Sequence, residues 1–183
     1  MKLFLLLTLF VSQVFAASKL YEITKSVNCE ENIPILTHFV VNNGTTVPNK
    51  VDFGGYFEVT EKVLGPFELS IDANRCDHSL KKCEKYVAGK NSGMCEIFNG
   101  KSGLFTDVLK TFEPQIKCPW MPGKYVAKNS AFDLSSISVL PSEGYTWVVT
   151  IKGLAGDGKN KKLVMCMYVE AKISKFRKKN SVK

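Results

Sequence analysis

The sequence predicts an all-β domain with one short helix, arranged as an antiparallel sandwich or half-open barrel. Three observations carry this. Apolar residues recur mostly with period two, clusters of turn residues separate the alternating runs, and a single stretch has helical spacing.

The N-terminus is set apart first. Met1-Lys2 is followed by an apolar run over 3–10 and then by Val11, Ser12, Gln13, Val14, Phe15, Ala16 and Ala17. A basic start, an apolar middle and small residues at a cleavage point describe a secretory signal, too short to span a bilayer. Cleavage is expected after Ala16, with Val14 at −3, although one residue later also fits. No later segment is apolar enough for a membrane span, and the C-terminus carries no apolar tail for a lipid anchor. The organisation expected is therefore a signal over 1–16, one domain over 17–174 and a basic tail over 175–183, in a soluble protein that is secreted or lysosomal. About 167 residues remain after cleavage, enough to bury roughly two thirds of the unfolded chain's surface.

Strands are expected over 20–27 and 35–41. A long strand follows, in which Val51, Phe53, Phe57, Val59 and Val63 alternate with Asp52, Tyr56, Glu58, Thr60 and Lys62; Gly54-Gly55 in its middle suggests a bulge or bend. Leu64-Gly65-Pro66 then turns the chain into a second alternating run, Phe67, Leu69 and Ile71 against Glu68, Ser70 and Asp72, and the two runs are expected to pair as an antiparallel hairpin. Leu104, Phe105, Val108, Leu109 and Phe112 place an apolar stripe on a short helix that Pro114 ends. Cys118-Pro119-Trp120-Met121-Pro122-Gly123 reads as an anchored turn from which Tyr125 enters a strand over 124–133. Strands over 145–152 and 163–173, joined by a segment rich in Gly, Asp, Asn and Lys, form a second hairpin.

Composition narrows the function classes. All six cysteines (Cys29, Cys76, Cys83, Cys95, Cys118 and Cys166) follow the signal, so three disulfides are expected rather than metal ligands; a zinc site would want His or a CxxC pair. Six cysteines permit fifteen pairings, and spacing alone does not choose among them. Asn43-Gly44-Thr45 is a glycosylation sequon in a turn-like stretch. The formal charge of +8 is partly concentrated in Lys172, Lys175, Arg177, Lys178, Lys179 and Lys183, which form either a solvated tail or a patch attracted to an anionic membrane. No nucleic-acid motif is present. Catalytic candidates are few: only His38 and His78, the first inside an apolar strand candidate and the second inside the short Cys76–Cys83 loop, with no Gly-x-Ser-x-Gly elbow. No enzyme activity and no cofactor are expected.

The order Cys29, the close pair Cys76 and Cys83, then Cys95, Cys118 and Cys166 in the last strand resembles the ganglioside-activator family of the lipid-recognition (ML) β-cup superfamily, including related secreted invertebrate domains, some of them chemosensory. The resemblance takes in Cys118-Pro119 with Gly123 and Tyr125, the helical stretch between Cys95 and Cys118, and Gly144-Tyr145 opening the penultimate strand. It runs from Cys29 to Ile173 and is strongest after Leu69. The sequence has no counterpart of the family's fourth disulfide, which braces the segment before the Cys-Pro turn. The resemblance implies an immunoglobulin-like β-cup and the pairing of Cys29 with Cys166, Cys76 with Cys83, and Cys95 with Cys118.

It further implies a secreted, non-enzymatic lipid-binding or transfer protein that carries a glycolipid or similar amphiphile in an apolar cup, touches membrane transiently, and serves a glycosidase or a receptor. The candidate cavity lining is Val51, Phe53, Phe57, Val59, Phe67, Leu69, Trp147, Val149, Met165 and Met167; the same residues could instead fill a solid core. Trp120 and Met121 are candidates for a rim that meets lipid, or for a cap on the edge of the core. The alternative function is an extracellular recognition protein, chemosensory or immune, that acts through a receptor without lipid transfer.

Overall fold

The structure, a computed structural model, describes residues 18–41, 47–100, 106–135, 138 and 142–176. The expected signal, the Asn43 sequon, the start of the expected helix and most of the basic tail lie outside them. Nine strands and two short helices occur among the described residues: β1 (Lys19–Asn28), β2 (Ile35–Val41), β3 (Lys50–Val59), β4 (Phe67–Cys76), β5 (Cys83–Asn91), α1 (Met94–Phe98), α2 (Thr106–Leu109), β6 (Phe112–Glu113), β7 (Gly123–Asp133), β8 (Thr146–Ala155) and β9 (Lys162–Lys175). The all-β class and three disulfides expected from the sequence are present.

The strands form one open sheet in the order β5-β4-β8-β9-β2-β3-β7-β6, with β1 on β9 as well. The junction is narrow: β2 meets β9 at one parallel pair, Ile35 with Met165. On either side of it, β5-β4-β8-β9-β1 make one layer and β2-β3-β7-β6 the other. The core draws on both, with Phe67, Ala155 and Met165 among those from the first and Ile35, Phe53, Val59, Tyr125 and Ala127 among those from the second; Trp120 and the α1 residues Met94 and Phe98 belong to it as well. Burying the apolar face of each layer against the other is what makes the arrangement stable in water.

The expected β8–β9 hairpin forms, with both strands running longer than their apolar runs. The bulge expected at Gly54-Gly55 is also present, as a register shift between β3 and β7. The hairpin expected between 51–63 and 67–72 does not form. β3 pairs with β2 and β7, whereas β4 pairs with β5 and β8 in the other layer. The backbone groups of the connecting segment are taken by three different partners: Thr60 N–H donates to Pro34 O, Val63 N–H to Trp120 O, and Gly156 N–H to Pro66 O. With those groups engaged elsewhere no ladder can close between the runs, and Leu64-Gly65-Pro66 becomes a crossing from one layer to the other.

β5 carries little apolar alternation and is exposed along nearly its whole length. It is held at the sheet edge by β4 and by Cys76 and Cys83, which are both register partners and a disulfide. The expected helical stripe is shorter than its spacing suggests. α2 ends at Leu109, and Phe112 already belongs to β6, where it is buried against β7. α1, which precedes it, has no apolar period long enough to be read from sequence.

Candidate functional site

Register fixes which side chains share a face. Phe67, Leu69, Ile71, Ala73 and Arg75 of β4 stand opposite Ala155, Gly153, Ile151, Val149 and Trp147 of β8. The last four of these stand opposite Met165, Met167, Val169 and Ala171 of β9. Phe67 is 1 % exposed, and a Cβ on Gly153 would lie 2.6 Å from its ring, so the whole series faces the opposing layer. The buried core holds Phe67 and Met165, with Leu69 and Ile151 packed against it. Ile71, Val149, Met167 and Val169 continue the same face, half-buried and outside that core. Three adjacent strands thus present an aliphatic surface that lies outside the core formed by the described residues.

The opposing layer is aromatic. Phe39 meets Phe57 edge-on at 4.7 Å and Phe53 at 5.6 Å, Phe53 stacks on Phe132 at 4.8 Å, and Phe57 stacks on Phe112 at 5.3 Å. The ten expected lining residues therefore divide. Phe53, Val59, Phe67 and Met165 are core, Phe57 and Leu69 pack on it, and Val51 and Trp147 are buried outside it. Val149 and Met167 remain half-buried on the aliphatic face.

Trp120 does not sit on a rim. It is 2 % exposed, stacks on Phe67 at 5.8 Å, and meets Phe57, Phe98 and Tyr125. The turn that carries it is pulled inward by the Cys95–Cys118 disulfide and by the Val63–Trp120 bridge. Met121 beside it is 48 % exposed, and its backbone is tied to the Tyr125 hydroxyl, which donates to Met121 O at 2.9 Å. Open hollows on the surface of the described residues include two of similar size. One, of about 530 Å³, is lined by Leu64, Pro66, Cys95, Cys118 and Pro119 among others; the other, of about 600 Å³, lies beside the β3–β7 bulge. Of the ten expected lining residues only Phe53 borders either.

At the far end of the aliphatic face the side chains become polar. Trp147 Nε1 donates to Ser142 O at 2.8 Å, and Lys19 Nζ donates to Ser142 Oγ at 2.8 Å. Lys19 is 1 % exposed and has Glu143 Oε1 at 3.7 Å. Tyr21, two residues along β1, has a buried hydroxyl with no hydrogen-bond partner among the described residues. Burial, then the Glu143 carboxylate, push its ionisation above the usual phenol range, which keeps it a neutral donor. Arg75 lies between the Tyr145 and Tyr86 rings, 4.4 and 5.4 Å from their centroids, and pairs with Glu84. Sequence reading missed this cluster. The available signal was phase: Lys19 is in step with Tyr21 and Ile23, and Arg75 with Ile71 and Ala73, so each charge falls on an inward position.

His38 and His78 are not drawn together. His38 is on the outer side of β2, stacked on Tyr56 at 4.6 Å with Glu58 at 3.3 Å, and His78 is exposed in the Cys76–Cys83 loop. The three disulfides join the pairs that the resemblance implied, and three such bonds fit an oxidising compartment. No helix among the described residues is long and apolar enough to cross a membrane. No protein-family model matches the chain, and no curated protein matches it either.

Proposed function

We propose that this chain is a secreted, non-enzymatic lipid-binding protein of the ganglioside-activator kind, which takes a glycolipid or similar amphiphile from a membrane and carries its apolar part between the two layers. The observation that carries this reading is the aliphatic face of Ile71, Val149, Met167 and Val169, half-buried outside the core and turned toward an aromatic layer. Covering such a face with an acyl chain stabilises the complex by about 0.8 kcal/mol per buried methylene, so a chain of ordinary length suffices for tight binding. The three disulfides support it further, because a protein whose layers are not fully packed together lacks contacts that covalent links offset.

The test is native mass spectrometry of the secreted protein, followed by organic extraction and lipid identification. One amphiphile per chain is the expected result, with transfer of labelled glycolipid out of vesicles on incubation. Protein that is always empty and takes nothing from vesicles at acidic or neutral pH overturns the reading and leaves an extracellular recognition protein.

A further inference from the structure

The aliphatic face ends at the polar cluster of Lys19, Tyr21, Ser142 and Glu143. On β9, Met167, Val169, Ala171 and Ile173 follow one another on the inward face. Opposite Ala171 and Ile173 stand Ile23 and Tyr21 of β1, and Lys19 is the next inward residue, with Trp147 beside Ala171 on β8. The apolar surface therefore leads to the Tyr21 hydroxyl, a buried donor that lacks an acceptor, beside a buried cation. An unmet buried hydroxyl is costly, and an acceptor on a bound molecule removes that cost.

Charge decides which acceptor fits. The Lys19 ammonium already has a carboxylate, Glu143, in reach at 3.7 Å, and Glu143 is itself largely withdrawn from solvent. Lys175, the register partner of Lys19, is exposed and screened by water. A second anion brought to Tyr21 would lie near Glu143, and the other half-buried cation at this end among the described residues, Arg75, already pairs with Glu84; a buried uncompensated charge is far more costly than a neutral dipole.

Building on the lipid-binding reading, we propose that Tyr21 receives the head of the amphiphile by donating a hydrogen bond to an uncharged hydroxyl or carbonyl oxygen, and that the Lys19–Glu143 pair sets the preference for neutral over anionic heads. Tyr21 is the binding residue, while Lys19, Glu143 and Ser142 position and bias it.

The experiment uses three probes with the same tail and different heads (hexadecane, 1-hexadecanol and hexadecyl sulfate), each labelled and presented to the full secreted protein in phosphatidylcholine vesicles. Uptake is read as label per chain after separation. Hexadecanol is expected to bind one per chain, at least about tenfold more tightly than hexadecyl sulfate. Tyr21→Phe should weaken hexadecanol about tenfold, the loss of one hydrogen bond, and leave hexadecane unchanged. Glu143→Gln removes the compensating charge and should raise hexadecyl sulfate uptake relative to hexadecanol. Should all three probes bind equally to the native protein and to Tyr21→Phe, the head-group proposal is overturned while lipid binding stands. If no probe binds, both are overturned.

Discussion

Phe67 on β4 and Trp120 in the Cys-Pro turn stack with ring centroids 5.8 Å apart and planes 20° from parallel. Phe67 comes from the first layer and Trp120 packs on Phe57 of the second, so this contact links the layers through side chains. Phe98 of α1 touches both rings, at 5.5 Å and 5.3 Å. Phe67→Ala should therefore cost about 3–5 kcal/mol, the range for deleting a buried aromatic side chain in a site that cannot collapse. Urea unfolding checks it: the midpoint should fall with little change in slope. A loss below about 1 kcal/mol would show that the two layers hold together without the ring.

Adjacent glycines in β3 should respond very differently to the same change. A Cβ on Gly55 would lie 2.0 Å from the His38 carbonyl oxygen, and its φ of 119° is disfavoured for any residue with a side chain; a Cβ on Gly54 meets nothing within 4 Å. Gly55→Ala is expected to destabilise by more than about 1–3 kcal/mol, since backbone would have to move. Gly54→Ala should lie within about 1 kcal/mol of the native protein, of either sign. Melting temperatures of the two variants, measured side by side, decide the matter.

The bulge at these glycines was legible in the sequence because glycine inside an alternating run has few other uses. The β8–β9 hairpin was legible for a similar reason, with two alternating runs flanking a polar, glycine-rich segment. The false hairpin shows what such patterns leave out. Alternation says that 51–63 and 67–72 each have an inward face, but not whether those faces lie side by side in one layer or across the core from each other. That choice was made by Trp120 and Gly156, whose backbone groups take up Val63 and Pro66. Distant residues also determined the site. By its neighbours Pro119, Met121 and Pro122, Trp120 suits either a lipid rim or a cap on the edge of the core; the bridge to Val63 and the disulfide at Cys118 bury it. Lys19 stands just before the strand expected over 20–27, and its burial depends on Ser142 and Glu143, more than a hundred residues away.

The disulfides should contribute unequally. Cys29–Cys166 spans 137 residues and Cys76–Cys83 spans 7. Each pair has one deeply buried member, Cys166 or Cys76, so replacing both cysteines by alanine removes similar apolar contact in the two cases. What differs is the loop closed in the unfolded chain, worth about 5 kcal/mol for the long loop and about half that for the short one. The Cys29→Ala/Cys166→Ala protein should lose roughly twice the stability of Cys76→Ala/Cys83→Ala. Denaturant titrations of the two double variants give the comparison, and equal losses would mean that residual structure in the unfolded chain already brings residues 29 and 166 together.

Stability should also fall in acid through Glu68. Its carboxylate accepts a hydrogen bond from Lys161 Nζ at 2.5 Å and has Lys90 Nζ at 4.0 Å. The hydrogen bond to Lys161, helped by both ammonium charges and opposed by burial, holds its ionisation below the usual glutamate value. A carboxyl group that titrates lower in the folded chain than in the unfolded one stabilises the fold above its unfolded value near 4.5, and that contribution is lost as pH falls through the folded value. Glu68→Gln should accordingly be less stable than the native protein at neutral pH, with the gap closing as the pH drops below about 4.5 and narrowing at high salt. Chemical unfolding at a series of pH values tests this. A gap that stays constant into acid would assign the effect of the substitution to packing rather than to charge.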